Sequence, residues 1–201
     1  MNEIDNHLKD IAEIREMMEK SSKFLSLSGL SGLSVGIVAL IGAGLAYQSF
    51  QPYRKGEAIL AHYGWSLAGI AGTVLIISLS LAVFFSIRMA KKKGLPIWNK
   101  TSKYMLISLF SPLVIGGIFC LALLVNGYLD LLPSFTLIIY GISLLSASKY
   151  TVNEIQYLAY CEAVLGLVAA FIPYLGIILW GTGFGILHIL YGLYIYQKYE
   201  K

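Results

Sequence analysis

The chain has 201 residues, of which 57% are hydrophobic and only 13% charged, with mean hydropathy +0.72. Soluble domains carry about a quarter charged residues, so one water-soluble core cannot hide this much apolar surface, and the bilayer must serve as part of its solvent. The net charge of +4 is no sign of nucleic-acid binding, because the basic residues gather at the ends of apolar runs.

Residues 1–23 come first. Ile4, Leu8, Ile11 and Met18 fall on one helical stripe, with Glu13, Glu16, Glu19, Lys9 and Lys20 elsewhere. The pattern predicts an amphipathic cytoplasmic helix. Six acidic residues against Lys9, Arg15, Lys20 and Lys23 leave it net acidic, which suits a protein surface better than anionic lipid. It is expected to pack on a cytoplasmic protein partner, on a second copy, or on the inner face of its own chain. A charged start of this length is not the pattern of a cleavable signal peptide.

Six apolar runs follow, at about 24–47, 64–87, 104–125, 131–148, 152–171 and 174–196. Each is near the length needed to cross ~30 Å of hydrocarbon at ~1.5 Å per residue. They predict an all-α polytopic membrane protein of six transmembrane helices arranged as three hairpins. In span 1, Gly29, Gly32, Gly36, Ala39 and Ala43 approximate one small-residue face, which lets helix backbones approach where lipid supplies no hydrophobic drive. The loop 48–63 holds Arg54, Lys55, Glu57 and His62, too few ligands for a metal site. After span 2 comes the most basic stretch, with Arg88, Lys91, Lys92, Lys93, Lys100 and Lys103, and Trp98 as an interface anchor. Pro112 is expected to kink span 3. Thr151-Val152-Asn153-Glu154 reads as a capping box starting span 5, and Pro173-Tyr174 as the turn into span 6.

With the N-terminus inside, the inner segments hold thirteen Lys and Arg and the outer loops hold two, Arg54 and Lys55. The positive-inside rule therefore puts both termini in the cytoplasm.

Span 5 carries Glu162 and span 6 carries His188. Both are the same number of residues from Leu175, so an antiparallel hairpin sets them at one depth, roughly 20 Å from the turn. A lone carboxylate in hydrocarbon must be neutralised or partnered, and imidazole is a suitable partner because it titrates near neutrality. His188 shares a face with Gly181, Gly185 and Gly192, and Glu162 with Ala159, Gly166 and Ala169, so the two small faces are expected to meet. The pair is either a proton-responsive site or a plain interhelical clasp. Cys120 and Cys161 both lie within apolar runs, where a packing role outweighs a redox one.

An internal repeat is also visible. Leu33-Ser34-Val35-Gly36 aligns with Ala163-Val164-Leu165-Gly166, and Leu113-Val114-Ile115-Gly116 fits the same slot. Ile139-Tyr140-Gly141-Ile142 aligns with Leu190-Tyr191-Gly192-Leu193. This unit, clearest over Cys161–Tyr196, resembles the hairpin of HdeD-like (DUF308-type) six-span inner-membrane proteins. The resemblance implies a role in acid or envelope stress and lends no catalytic residues.

No HExxH, GxSxG, paired-aspartate or phosphate-loop motif is present, so a non-enzymatic protein without metal or cofactor is expected. Two functions remain: a scaffold or sensor with a cytoplasmic partner, or a small oligomeric transporter or channel with Glu162 and His188 on its path.

Overall fold

A computed structural model describes residue 11 and residues 28–54 and 60–201. The expected helix over residues 1–23, apart from Ile11, and the loop residues Lys55, Glu57 and His62 lie outside the described backbone or side chains. Every regular element among the described residues is helical. In chain order these are α1 (Gly29–Arg54), α2 (Leu60–Lys92), α3 (Lys100–Val125), α4 (Leu132–Ser148) and α5 (Ile155–Phe171). The last rod is composite: α6 (Gly176–Trp180), a π-helical segment Gly181–Leu187, and α7 (His188–Tyr199). Five helical stretches are long and apolar enough to cross a membrane, and α5 adds a shorter apolar helix of 17 residues. The fold is that of a helical membrane protein.

Local chemistry explains the boundaries. Asn99 starts α3: its side chain accepts from the Ser102 N–H at 2.7 Å, and Ser102 Oγ accepts from the Asn99 N–H at 2.9 Å. That reciprocal pair is a capping box. Of the box expected at Thr151–Glu154 the glutamate half is not made: α5 begins after Glu154, which makes no capping hydrogen bond to it. Its carboxylate is taken instead by Lys198 Nζ at 2.5 Å and Tyr199 Oη at 3.0 Å, which tie the end of α7 to the start of α5. Helix α3 runs through Pro112 as one element. Gly94 ends the turn after α2 with φ +64, a conformation glycine adopts at no steric cost.

Two antiparallel pairs form the tightest packing, and both are built on glycine. In the α4–α5 pair, a Cβ on Gly166 would stand 2.8 Å from Ser134 O and from Ile138 N. One on Gly141 would stand 2.7 Å from Ala159 O and 2.9 Å from Ala163 N. In the pair of α1 with the last rod, a Cβ on Gly36 would meet Gly185 O at 2.6 Å and Ile189 N at 3.0 Å. One on Gly192 would meet Leu33 N at 2.5 Å and Gly29 O at 2.6 Å. In all four cases the glycine meets a carbonyl seven residues, and an N–H three residues, before its partner helix's own glycine. The two interfaces therefore share one register. Gly116 departs from it, facing the side chain of Ile139 instead of a backbone.

Among the described residues, helix α2 packs mainly on α1 and α3 mainly on α4. At the chain's end, Glu200 closes the structure back on itself: its carboxylate accepts from the Gly29 N–H and, at 3.5 Å, from Ser28 Oγ. An anionic group on these amides satisfies donors that the first turn of α1 leaves open.

Candidate functional site

The glycine register sets three elements around one buried point. Glu162 lies on α5, four residues before Gly166, and is fully buried. His188 opens α7, four residues before Gly192, and is 4% exposed. His188 Nδ1 stands 3.3 Å from Glu162 Oε1. The same nitrogen is 3.1 Å from the carbonyl of Gly183, and Nε2 is 2.8 Å from Tyr140 Oη on α4. Carboxylate, imidazole and phenol thus form one group drawn from α5, the last rod and α4.

The donor roles follow from the acceptors. Nδ1 faces two groups that can only accept, Gly183 O and the ionised form of Glu162, so Nδ1 carries the hydrogen in the neutral ring. Nε2 is then bare and accepts from the Tyr140 hydroxyl. The Nδ1–H aims at the Gly183 carbonyl, and both carboxylate oxygens of Glu162 are left without a directed hydrogen bond. The 3.3 Å separation is close enough for strong Coulomb attraction in a dry interior, yet it is not a well-aligned hydrogen bond. Glu162 therefore lies beside the imidazole without a directed hydrogen bond to it.

The π-helical segment is what brings this about. A seven-residue π stretch is rare, and such segments cluster at functional positions. It lets Gly183 lie flat against the carboxylate: a Cβ there would be 2.5 Å from Glu162 Oε2 and 2.6 Å from Leu137 Cδ2. Phe184 stacks on His188 with centroids 5.9 Å apart and interplanar angle 15°, and it also meets Tyr140 at 4.8 Å and Trp180 at 4.9 Å. These rings seal the polar group. Tyr191 joins Tyr140 against the Leu144, Ile155, Leu158 and Ala159 cluster, and its buried hydroxyl also lacks a partner.

The expected meeting of two small faces does not occur. Gly181, Gly185 and Gly192 turn towards α1, where Gly181 approaches Ala43 and Gly185 approaches the side chain of Leu40. Ala159 and Gly166 turn towards α4. Each glycine face needs another helix backbone, and within the hairpin α5 to α7 the contact is left to larger groups. Glu162 and His188 meet beside these faces, across Gly183. Three participants were not singled out for this site from the sequence: Tyr140, Gly183 and Phe184. Tyr140 was visible only as the residue before Gly141 in the repeat, and the π segment shifts the helical register on which Gly183 and Phe184 would have been counted.

The remaining candidates lie apart from the group. Cys161 is exposed on the outward side of α5, and Cys120 is half-buried on α3. Arg88, Lys91, Lys92, Lys100 and Lys103 are exposed and Lys93 half-buried around the α2–α3 loop. Asp130 lines a cavity of about 20 Å³ with Tyr63, Pro133, Pro173 and Tyr174, large enough for a single water. Among the described residues no three His, Cys, Asp or Glu side chains gather as a metal site would require.

Fold and site define a helical membrane protein with a buried carboxylate–imidazole–phenol group at the junction of three helices. No family model, no curated protein and no solved structure matches the chain.

Proposed function

We propose that this is a non-enzymatic six-span membrane protein, a sensor or scaffold, whose packing is set by the protonation state of the Glu162–His188–Tyr140 group. The observation that carries the reading is the fully buried carboxylate whose oxygens have no directed hydrogen bond, 3.3 Å from a histidine that is itself tied to a third element. Adding or removing one proton there changes the charge at a point where α4, α5 and the last rod meet. The titratable groups facing it from these elements are Tyr140, His188 and Tyr191; the α1 residues at the glycine contacts with the last rod, Gly29, Gly32, Leu33, Gly36, Leu40 and Ala43, carry no titratable side chain. A change in local charge of this kind biases helix packing directly, because charge in a low-dielectric interior is costly unless paired.

In this reading α5 is a membrane span although it is short, the three hairpins share one pattern, and both termini are cytoplasmic. The common register of the α4–α5 and α1–α7 contacts supports the repeat, and the basic α2–α3 loop supports the orientation. The acidic residues 1–23 are then the segment that meets a cytoplasmic partner or a second copy.

The test is thermal unfolding of purified protein from pH 5 to 9, in the wild type, Glu162→Gln and His188→Gln. A wild-type midpoint that moves with pH, and a flat profile in Glu162→Gln, is the expected result. A flat wild-type profile sinks the sensor reading. The burial of Glu162 away from an aqueous path weighs against the second reading, a proton-linked transporter. Flux into liposomes that depends on a pH gradient and is lost in Glu162→Gln would favour it.

A further inference from the structure

Two helix pairs close through glycine, and a third contact of the same kind is missing. Helices α2 and α3 are consecutive, yet each packs on a different neighbour and they scarcely touch along their lengths. They converge at one end, where a Cβ on Gly64 would lie 3.2 Å from Leu124 Cδ1. At the other end they are joined by residues 93–99, of which Lys93, Gly94 and Leu95 fold back onto the last turn of α2 through their N–H groups. Between these two ends few contacts join the helices, and both are apolar there. Gly141 and Gly192 each lie seven residues before the end of their helices; the same count from Lys92 in α2 arrives at Phe85. Phe85, whose ring lies edge-on to Phe84 with centroids 5.3 Å apart, stands at that count in place of a glycine, and a side chain of this size does not offer the close backbone approach that glycine allows.

The loop joining α2 to α3 is the most basic part of the chain. Residues 88–103 contain Arg88, Lys91, Lys92, Lys93, Lys100 and Lys103 and not one carboxylate. Arg88, Lys91 and Lys92 are exposed. Beside them Trp98 is 64% exposed, with Lys103 Nζ 5.7 Å from its ring centroid. An exposed indole among cations at the end of two apolar helices marks the headgroup level of a bilayer.

We propose that the gap between α2 and α3 holds an anionic phospholipid, with its headgroup on Arg88, Lys91 and Lys92 and its acyl chains along the two helices. Charge complementarity selects the headgroup, and the missing glycine contact leaves room for the chains. The lipid stands where a third helix–helix contact would otherwise close the bundle. This inference uses the membrane reading but not the Glu162 group, so either can fail alone.

The experiment is native mass spectrometry and thermal unfolding of the full chain in detergent, with added dioleoyl phosphatidylglycerol, dioleoyl phosphatidylcholine or free glycerol phosphate. Retention of the anionic lipid and a raised melting temperature with it alone is expected. The triple variant R88Q/K91Q/K92Q should weaken retention about tenfold or more, since each cation near an anionic headgroup contributes measurably. Glu162→Gln should retain the lipid as the wild type does. Should the triple variant melt below the wild type without lipid, K91Q and K92Q are compared singly by the same readout. Equal retention of both lipids, unchanged retention in the variants, or equal stabilisation by glycerol phosphate would overturn the proposal.

Discussion

The α2–α3 side and the α4–α5 side of this protein differ in a way opposite to a soluble fold. Over their most apolar 18 residues α2 and α3 are the most hydrophobic of the five, yet none of those residues in α2 and only 6% of those in α3 are buried. In α4, less hydrophobic, 39% are buried. In water the most apolar helix goes inside. In a bilayer, lipid tails serve apolar side chains as well as a protein core does, and what decides burial is how closely two backbones can approach. Leu75, Ile76, Ile115 and Ile118, all more than 60% exposed, are therefore suited to their place. Gly141, Gly166, Gly36 and Gly192, which offer no side chain at all, hold the centre.

The largest expected effect comes from breaking this contrast at the glycines. Gly192→Leu places a side chain where the backbone of α1 already stands, and Gly141→Leu does the same against α5. Overpacking typically costs about 1–3 kcal/mol and more where the obstacle is backbone, so both variants should lose most of their cooperative melting transition in detergent. Gly69→Leu and Gly72→Leu on α2 meet open space and should melt within a few degrees of the wild type. If all four variants behaved alike, the register argument would be wrong.

The second effect in size concerns the buried group. Glu162→Gln keeps the volume and removes the charge, and a buried ion pair replaced by a neutral one is often neutral or stabilising. The variant should melt at or above the wild type while losing its pH dependence. His188→Leu, which strands Glu162 and leaves Tyr140 without its acceptor, should be destabilised by about 3 kcal/mol or more, because a buried charge is left uncompensated. Gly183→Ala should behave like His188→Leu in kind, since its methyl would fall on Glu162 Oε2. A His188→Leu protein as stable as Glu162→Gln would show that the three side chains do not act as a unit.

How much of this could be read from the residues follows from the same physics. Hydropathy and span length locate the helices, because the bilayer imposes both. Counting thirteen residues either way from Leu175 brings Glu162 and His188 to one depth, and the pair still meets although a π segment interrupts the second count. The counting fails for helix faces where the winding is irregular, and where the partner is remote. The π segment Gly181–Leu187 breaks the α-helical count that joins Gly181 and Gly185 to His188, and these glycines, like Gly192 beyond it, point to α1. Tyr140 comes from another hairpin, and no spacing within α5 to α7 reveals it. The capping pattern at Thr151–Glu154 was a valid local signal, overridden because Lys198 and Tyr199 offer Glu154 a charged and a neutral donor from the chain's far end.

That override supplies the smallest effect, and the one that separates local from long-range control. The hydrogen bond from Lys198 is the main reason the Glu154 carboxyl is held below its ordinary value, with Tyr199 assisting. A group whose folded pKa is depressed contributes stability above its unfolded pKa and loses it as pH falls through the folded value. The tie between α7 and α5 should therefore be complete at neutral pH, begin to weaken below the ordinary carboxylate pKa of 4.5, and vanish in stronger acid. Lys198 is half exposed, so water and salt screen the pair and Glu154→Gln should cost less than about 1 kcal/mol. Double-mutant cycles with Lys198→Met, read by melting at pH 7 and pH 4 in low and high salt, measure the coupling. A coupling near zero at pH 7 would return Glu154 to its local role at the start of α5. A coupling that fades in acid and in salt would mean that a contact across the bundle outcompetes the helix's own first turn.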